Sequence, residues 1–101
     1  MKPAIQGFGD VVCSRNSSGI KTNVPQRIIC HSPDGFEWGY GGSGPADFAL
    51  NILSVYIGEE EANMYYQDFK WNFIALLHRD GGVIEKKHIM DWIKEKRLEN
   101  Q

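Results

Sequence analysis

The residues best suited to chemistry lie close together between positions 31 and 47: His31, Glu37, Trp38, Tyr40, Gly41, Gly42, Ser43, Gly44 and Asp47. Glycines leading into a helix at Pro45 can bind an anion. Backbone N–H groups and the positive helix end both favour negative charge, and the missing side chains let a phosphate or carboxylate come close. Trp38 or Tyr40 at the rim would stack on such a ligand, with His31 and Glu37 beside it. The expected ligand-binding set is therefore His31, Glu37, Trp38, Tyr40, Gly41, Gly42, Ser43 and Gly44. No Lys-Ser/Thr pair follows the last glycine, so this is not a Walker loop, and it lacks the βαβ context of a dinucleotide fingerprint. Asp47 weighs against a heavily charged phosphate directly on the helix cap. A tight strand-to-helix corner would need the same glycines without any ligand.

Catalysis would recruit His31 and Glu37, with Asp47 in support and Ser43 as a weak nucleophile. The surrounding Gly-Gly-Ser-Gly-Pro is not a nucleophile elbow, because the second glycine is displaced and proline follows. Each group also has a structural use. His31 can serve as a hydrogen-bonded turn residue, and a buried Glu37 would need a partner such as Arg27 or Lys70. Phe36, Trp38 and Tyr40 can form one wall of a small core. His78 and His88 fall in separate segments without ligand spacing, and Cys13 and Cys30 read as small, reduced core residues in strands. No metal and no cofactor is expected.

These residues must be positioned by flanking elements. Ser32-Pro33-Asp34-Gly35 is a type I turn signal, so strands over 27–31 and 36–40 are expected to form a hairpin. Upstream, Ile5, Phe8, Val11 and Val12 favour a strand. A polar turn at 15–19 and a second run at 20–24 follow, and Pro25 interrupts the strand or marks an edge. Ser43 or Gly44 should cap a helix running to about Tyr56 and ending near Gly58. That helix is apolar around most of its circumference, with only Asp47, Asn51 and Ser54 in a polar strip, so it belongs at the centre. A second helix begins near Glu60, where Glu59, Glu60 and Glu61 form a solvated acidic start. Met64 and Trp71 project from its far side, giving either a partner or homo-oligomer interface or a helix covered on two sides. The stretch 73–78 fits a helix or a short strand. A brief extended piece at 83–85 leads to an amphipathic helix over 86–98, whose core face is Ile89, Trp92 and Ile93.

The predicted architecture is α+β: an N-terminal antiparallel sheet of three to four short strands against a buried helix and two further helices. With 101 residues, a single domain spanning 1–101 is expected. A net charge of −2 offers no general attraction to nucleic acid or acidic membranes, so double-stranded nucleic acid is not an expected partner. No apolar run approaches the roughly 20 residues needed to span a bilayer, and no secretory signal is evident, so a cytoplasmic location is expected.

The segment His-Ser-Pro-x-Gly-Phe-Glu-Trp-Gly-Tyr-Gly-Gly-Ser-Gly-Pro-Ala, unbroken from His31 to Ala46, resembles the signature of a domain family of unknown function. That family comprises small proteins of bacteria, phages and other mobile elements. The likeness continues through Leu50, Leu53, the run Tyr66-Gln67-Asp68-Phe69-Lys70, Ile89 and Trp92-Ile93, covering roughly residues 27–94. The chain departs where members carry a Trp near Val83 and a Ser or Thr cap before the last helix, here Glu85 or Lys86. The resemblance implies a family and no reaction. With the glycine loop, it leads to an expected non-enzymatic binder of a small anionic, nucleotide-like ligand, sequestering a host signal. The alternatives are an interaction module that inhibits a host protein, and a small enzyme using His31 and Glu37.

Overall fold

A computed structural model describes residues 1–32 and 34–100. The fold is α+β. β1 (Val11–Asn16) and β2 (Gly19–Thr22) form a hairpin, with Cys13 opposite Thr22 and Asn16 opposite Gly19. Asn16 Oδ1 accepts the Ser18 N–H, and Gly19 takes a positive φ of 116°; the polar turn expected at 15–19 narrows to Ser17-Ser18, with Arg15 and Asn16 in β1 and Gly19 in β2. β3 (Gly81–Ile84) pairs antiparallel with β1 on its other side, giving the order β2-β1-β3. The third strand thus comes from the C-terminal half of the chain, where only a brief extended piece was expected.

The expected hairpin of 27–31 with 36–40 does not form. Gly35 N–H does bond back to Ser32 O at 3.3 Å, while Pro33, the second position of that turn, lies outside the described residues. The first flanking segment adopts no strand because the polar strip of a helix supplies its hydrogen bonds instead, while in the second Gly39 N–H turns to Ile74 O. In α1 (Ser43–Ile57), Asp47, Asn51 and Ser54 are all buried. Asp47 accepts the backbone N–H groups of Cys30, His31 and Ser32 at 3.1, 2.9 and 2.9 Å. Asn51 Oδ1 accepts those of Arg27 and Ile28 at 2.8 and 2.9 Å, and its amide donates to Ile28 O at 2.8 Å. Ser54 Oγ accepts from Arg27 Nη2 at 2.9 Å. The three residues satisfy one irregular stretch much as a neighbouring strand would.

Gly42 precedes α1 as its N-cap, one residue earlier than predicted, and Gly58 ends it with φ 85°. Apart from the polar strip, α1 is packed on every side by apolar groups. Phe48, Ile52 and Leu53 are fully buried; Phe36 stacks on Phe48 with centroids 4.9 Å apart, and Trp38 tilts against it at 5.7 Å. The N-terminal residues lie along α1 rather than joining the sheet: Ile5 N–H bonds Val55 O, and Tyr56 Oη donates to Gly9 O.

α2 (Glu59–Phe69) runs into a π-helical turn (Lys70–Ile74), so the ambiguous stretch after Phe73 begins in helix and contains no strand. The acidic start of α2 is only partly solvated, because Glu61 makes a two-pronged bond to Arg97 and Glu59 accepts the Lys2 N–H. α3 (Lys86–Glu99) buries Ile89 and Ile93 as predicted, and Trp92 meets Phe69 and Phe73 edge-on. Among the described residues no helix is long and apolar enough to cross a membrane.

Candidate functional site

Alternation along β1 puts Val11, Cys13 and Arg15 on the inward face, where a cation needs a carboxylate. Glu37 provides it. Arg15 Nη1 and Nη2 reach Glu37 Oε2 and Oε1 at 3.0 and 2.5 Å, and Arg15 Nε donates to Arg79 O at 3.0 Å. The partner is therefore Arg15, not Arg27 or Lys70 as the sequence suggested. Trp38 Nε1 donates to the same Arg79 carbonyl at 2.9 Å, and the Arg15 guanidinium lies 4.8 Å from the centre of the Trp38 ring. The Arg15 hydrogen bond holds the Glu37 carboxyl below the usual carboxylate range, and the same bond raises the Arg15 pKa.

Around this cluster opens a cleft of about 400 Å3, walled by Arg15, Glu37, Trp38, Gly39, Tyr40, Leu77 and Arg79. Two hydrogen bonds to its carbonyl fix the Arg79 backbone, yet its guanidinium makes no ion pair among the described residues. Gly39 N–H bonds Ile74 O at 2.9 Å, tying the cleft to the π turn. Trp38 is 2% exposed, so it forms part of the wall and the core and is not a free ring at the rim. Tyr40 is 53% exposed and supplies the open aromatic face that the sequence called for.

The glycines of the loop make room for the chain's own side chains. A Cβ on Gly41 would lie 2.1 Å from the Trp71 ring, one on Gly42 2.4 Å from Tyr40, and one on Gly44 2.8 Å from Glu37 Cβ. Gly41 O also accepts from Lys70 Nζ at 3.2 Å. That buried ammonium lies 4.5 Å from the centre of the Trp71 ring. The π turn thus places Lys70 and Trp71 together against the loop, an irregularity of a kind often found at functional sites. Ser43, the first residue of α1, is exposed and does not line the cleft.

His31 stands apart from this group. Its Nε2 and Tyr66 Oη share a hydrogen bond at 2.7 Å, the rings stack at 5.8 Å, and it does not line the cleft that holds Glu37. Of the predicted set, the structure brings Glu37, Trp38 and Tyr40 to the cleft and places Gly41, Gly42 and Gly44 beneath neighbouring side chains. Sequence reasoning missed Arg15, Leu77 and Arg79. Arg15, expected in a polar turn, became a cation on the inward phase of a strand only because β1 extends to Asn16. Arg79 carried none, because it lies in a turn brought over only by the pairing of β3 with β1. Asp47 serves the backbone of 30–32 and is fully buried, away from any catalytic role beside His31 and Glu37.

A profile described as "Family of unknown function (DUF6166)" matches residues 6–95. No curated protein and no solved structure shows a significant match to the chain.

Proposed function

The chain belongs to the family of unknown function DUF6166, and from its cleft we propose that it is a non-enzymatic binding protein for a small anionic ligand. One observation carries the proposal: a cleft of about 400 Å3, within the size range of small-molecule sites, is lined by Arg79, a cation with no ion pair among the described residues. Glu37 lies in the same wall, but Arg15 neutralises its charge at two-pronged geometry, so Arg79 leaves the cleft cationic. The anion sits against Arg79, and the loop of 41–44 shapes the rim without cradling it. For a protein carried by a phage or another mobile element, such binding would sequester a host signalling molecule.

Isothermal titration of the full chain against inorganic phosphate, pyrophosphate, mononucleotides and cyclic dinucleotides is the direct test. At least one of these anions should bind, and Arg79→Gln should weaken that binding at least tenfold. Absence of heat with every anion at high micromolar concentration would refute the proposal.

A second use of the surface, docking on a host protein, is favoured by the exposure of Met64 and Trp71, at 57% and 58%. A partner held through these side chains would be lost with Trp71→Ala and retained with Arg79→Gln, the reverse of the result expected for the cleft.

A further inference from the structure

We infer that the ligand of the cleft is a mononucleotide, with its base stacked on Tyr40 and its phosphate on Arg79; this rests on the anion-binding function proposed above. Tyr40 and Arg79 line one cleft, and they differ in kind: an aromatic residue that is 53% exposed, and a cation with no ion pair among the described residues. A simple anion uses only the second. A ligand that satisfies both must carry a flat π face and a negative group a short distance apart, which is the chemistry of a nucleoside phosphate.

The ring is also held in place. Gly42 lies so close beneath it that a Cβ there would meet Tyr40 Cε2 at 2.4 Å, and the loop of residues 39–42 is anchored by Gly39 N–H to Ile74 O and by Lys70 Nζ to Gly41 O. A seated ring loses less freedom on stacking than a free one, so more of the contact is realised as affinity. Gly42 therefore has a use that neither a bare helix cap nor an amide nest requires: it is the seat of an aromatic platform. The cleft volume lies near the lower end of the range for small-molecule sites, which suits one nucleotide rather than a cyclic dinucleotide.

Titrations compare a panel of purine and pyrimidine nucleoside mono- and diphosphates with pyrophosphate and with cyclic dinucleotides. The best nucleotide should bind about 5- to 150-fold more tightly than pyrophosphate, the range expected for one base stacked on one aromatic ring. Tyr40→Leu and Gly42→Ala should remove most of that advantage, weakening the best nucleotide far more than pyrophosphate. Arg79→Gln should weaken both ligands, and Met64→Ala neither. Circular dichroism of each variant checks that it is folded. Should pyrophosphate bind as tightly as every nucleotide, or should Tyr40→Leu leave nucleotide affinity intact, the mononucleotide inference falls while anion binding stands. Tighter binding of a cyclic dinucleotide than of any mononucleotide overturns the inference equally. Failure of every anion to bind removes both.

Discussion

Replacing Asp47 by Asn tests the central structural claim, that a helix side chain does the work of a β-ladder. Asp47 is 0% exposed and accepts three backbone N–H groups, Cys30 and Ser32 on Oδ2 and His31 on Oδ1. Asparagine offers one oxygen. If it takes the Cys30 and Ser32 side, the His31 N–H faces an amide NH2, and a buried donor without an acceptor costs about 1–3 kcal/mol. The two surviving bonds also fall from charge-assisted to neutral, a further loss of about 1 kcal/mol each. The sum, about 3–5 kcal/mol, is a large share of the roughly 5–15 kcal/mol that stabilises a domain of this kind. At about 4–8 °C per kcal/mol, the melting temperature should fall by at least about 12 °C. Urea unfolding followed by tryptophan fluorescence gives the free energy, with Asp68→Asn as the exposed control, expected to cost under about 1 kcal/mol. Hydrogen exchange at residues 30–32 should accelerate in Asp47→Asn. A loss below about 1 kcal/mol, or unchanged exchange at those amides, would refute the reasoning.

Three other outcomes follow from the same structure. Gly81→Ala should destabilise by more than about 2 kcal/mol, since φ is 103° and the new Cβ would lie 2.2 Å from Cys13 O; Gly82→Ala, with nothing nearer than 3.9 Å, should cost under about 1 kcal/mol in the same urea assay. Arg15 and Arg97 hold the Glu37 and Glu61 carboxyls below their ordinary value of 4.5, so the stability these pairs contribute is present above that value and is lost as pH falls through their lowered folded values. A denaturation series should show stability declining below about pH 5, and the double variant Glu37→Gln, Glu61→Gln should flatten that decline. Cys30 is exposed, whereas Cys13 is buried, with its thiol pKa pushed up by that burial; Ellman's reagent should therefore titrate one thiol in the native protein and two in urea.

The sequence by itself determined the elements whose signals are local. The turn at Ser17-Ser18, within the polar cluster 15–19, the helix from Pro45 to Gly58 with apolar groups nearly all round, and the final amphipathic helix each follow from neighbours within a few residues. A hairpin is less local. The Ser32 to Gly35 turn closes as its residues dictate, but a turn only brings two segments near each other. Whether they pair depends on competing partners, and for residues 27–32 the buried side chains of Asp47, Asn51 and Ser54 supply the hydrogen bonds that a second strand would have offered. The strip was legible; what it would hold was not. The same division applies to the cleft. Tyr40 and Glu37 announced themselves by type and position, whereas Arg15, expected in a polar turn, showed its inward phase only once β1 extended to Asn16. Arg79 became part of the site only when Gly81–Ile84 paired with β1, a contact between residues some seventy positions apart that no local pattern encodes. Tertiary structure also decided what the glycines are for. A glycine announces that space is needed, but only packing shows what fills it, and here Trp71, Tyr40 and Glu37 do.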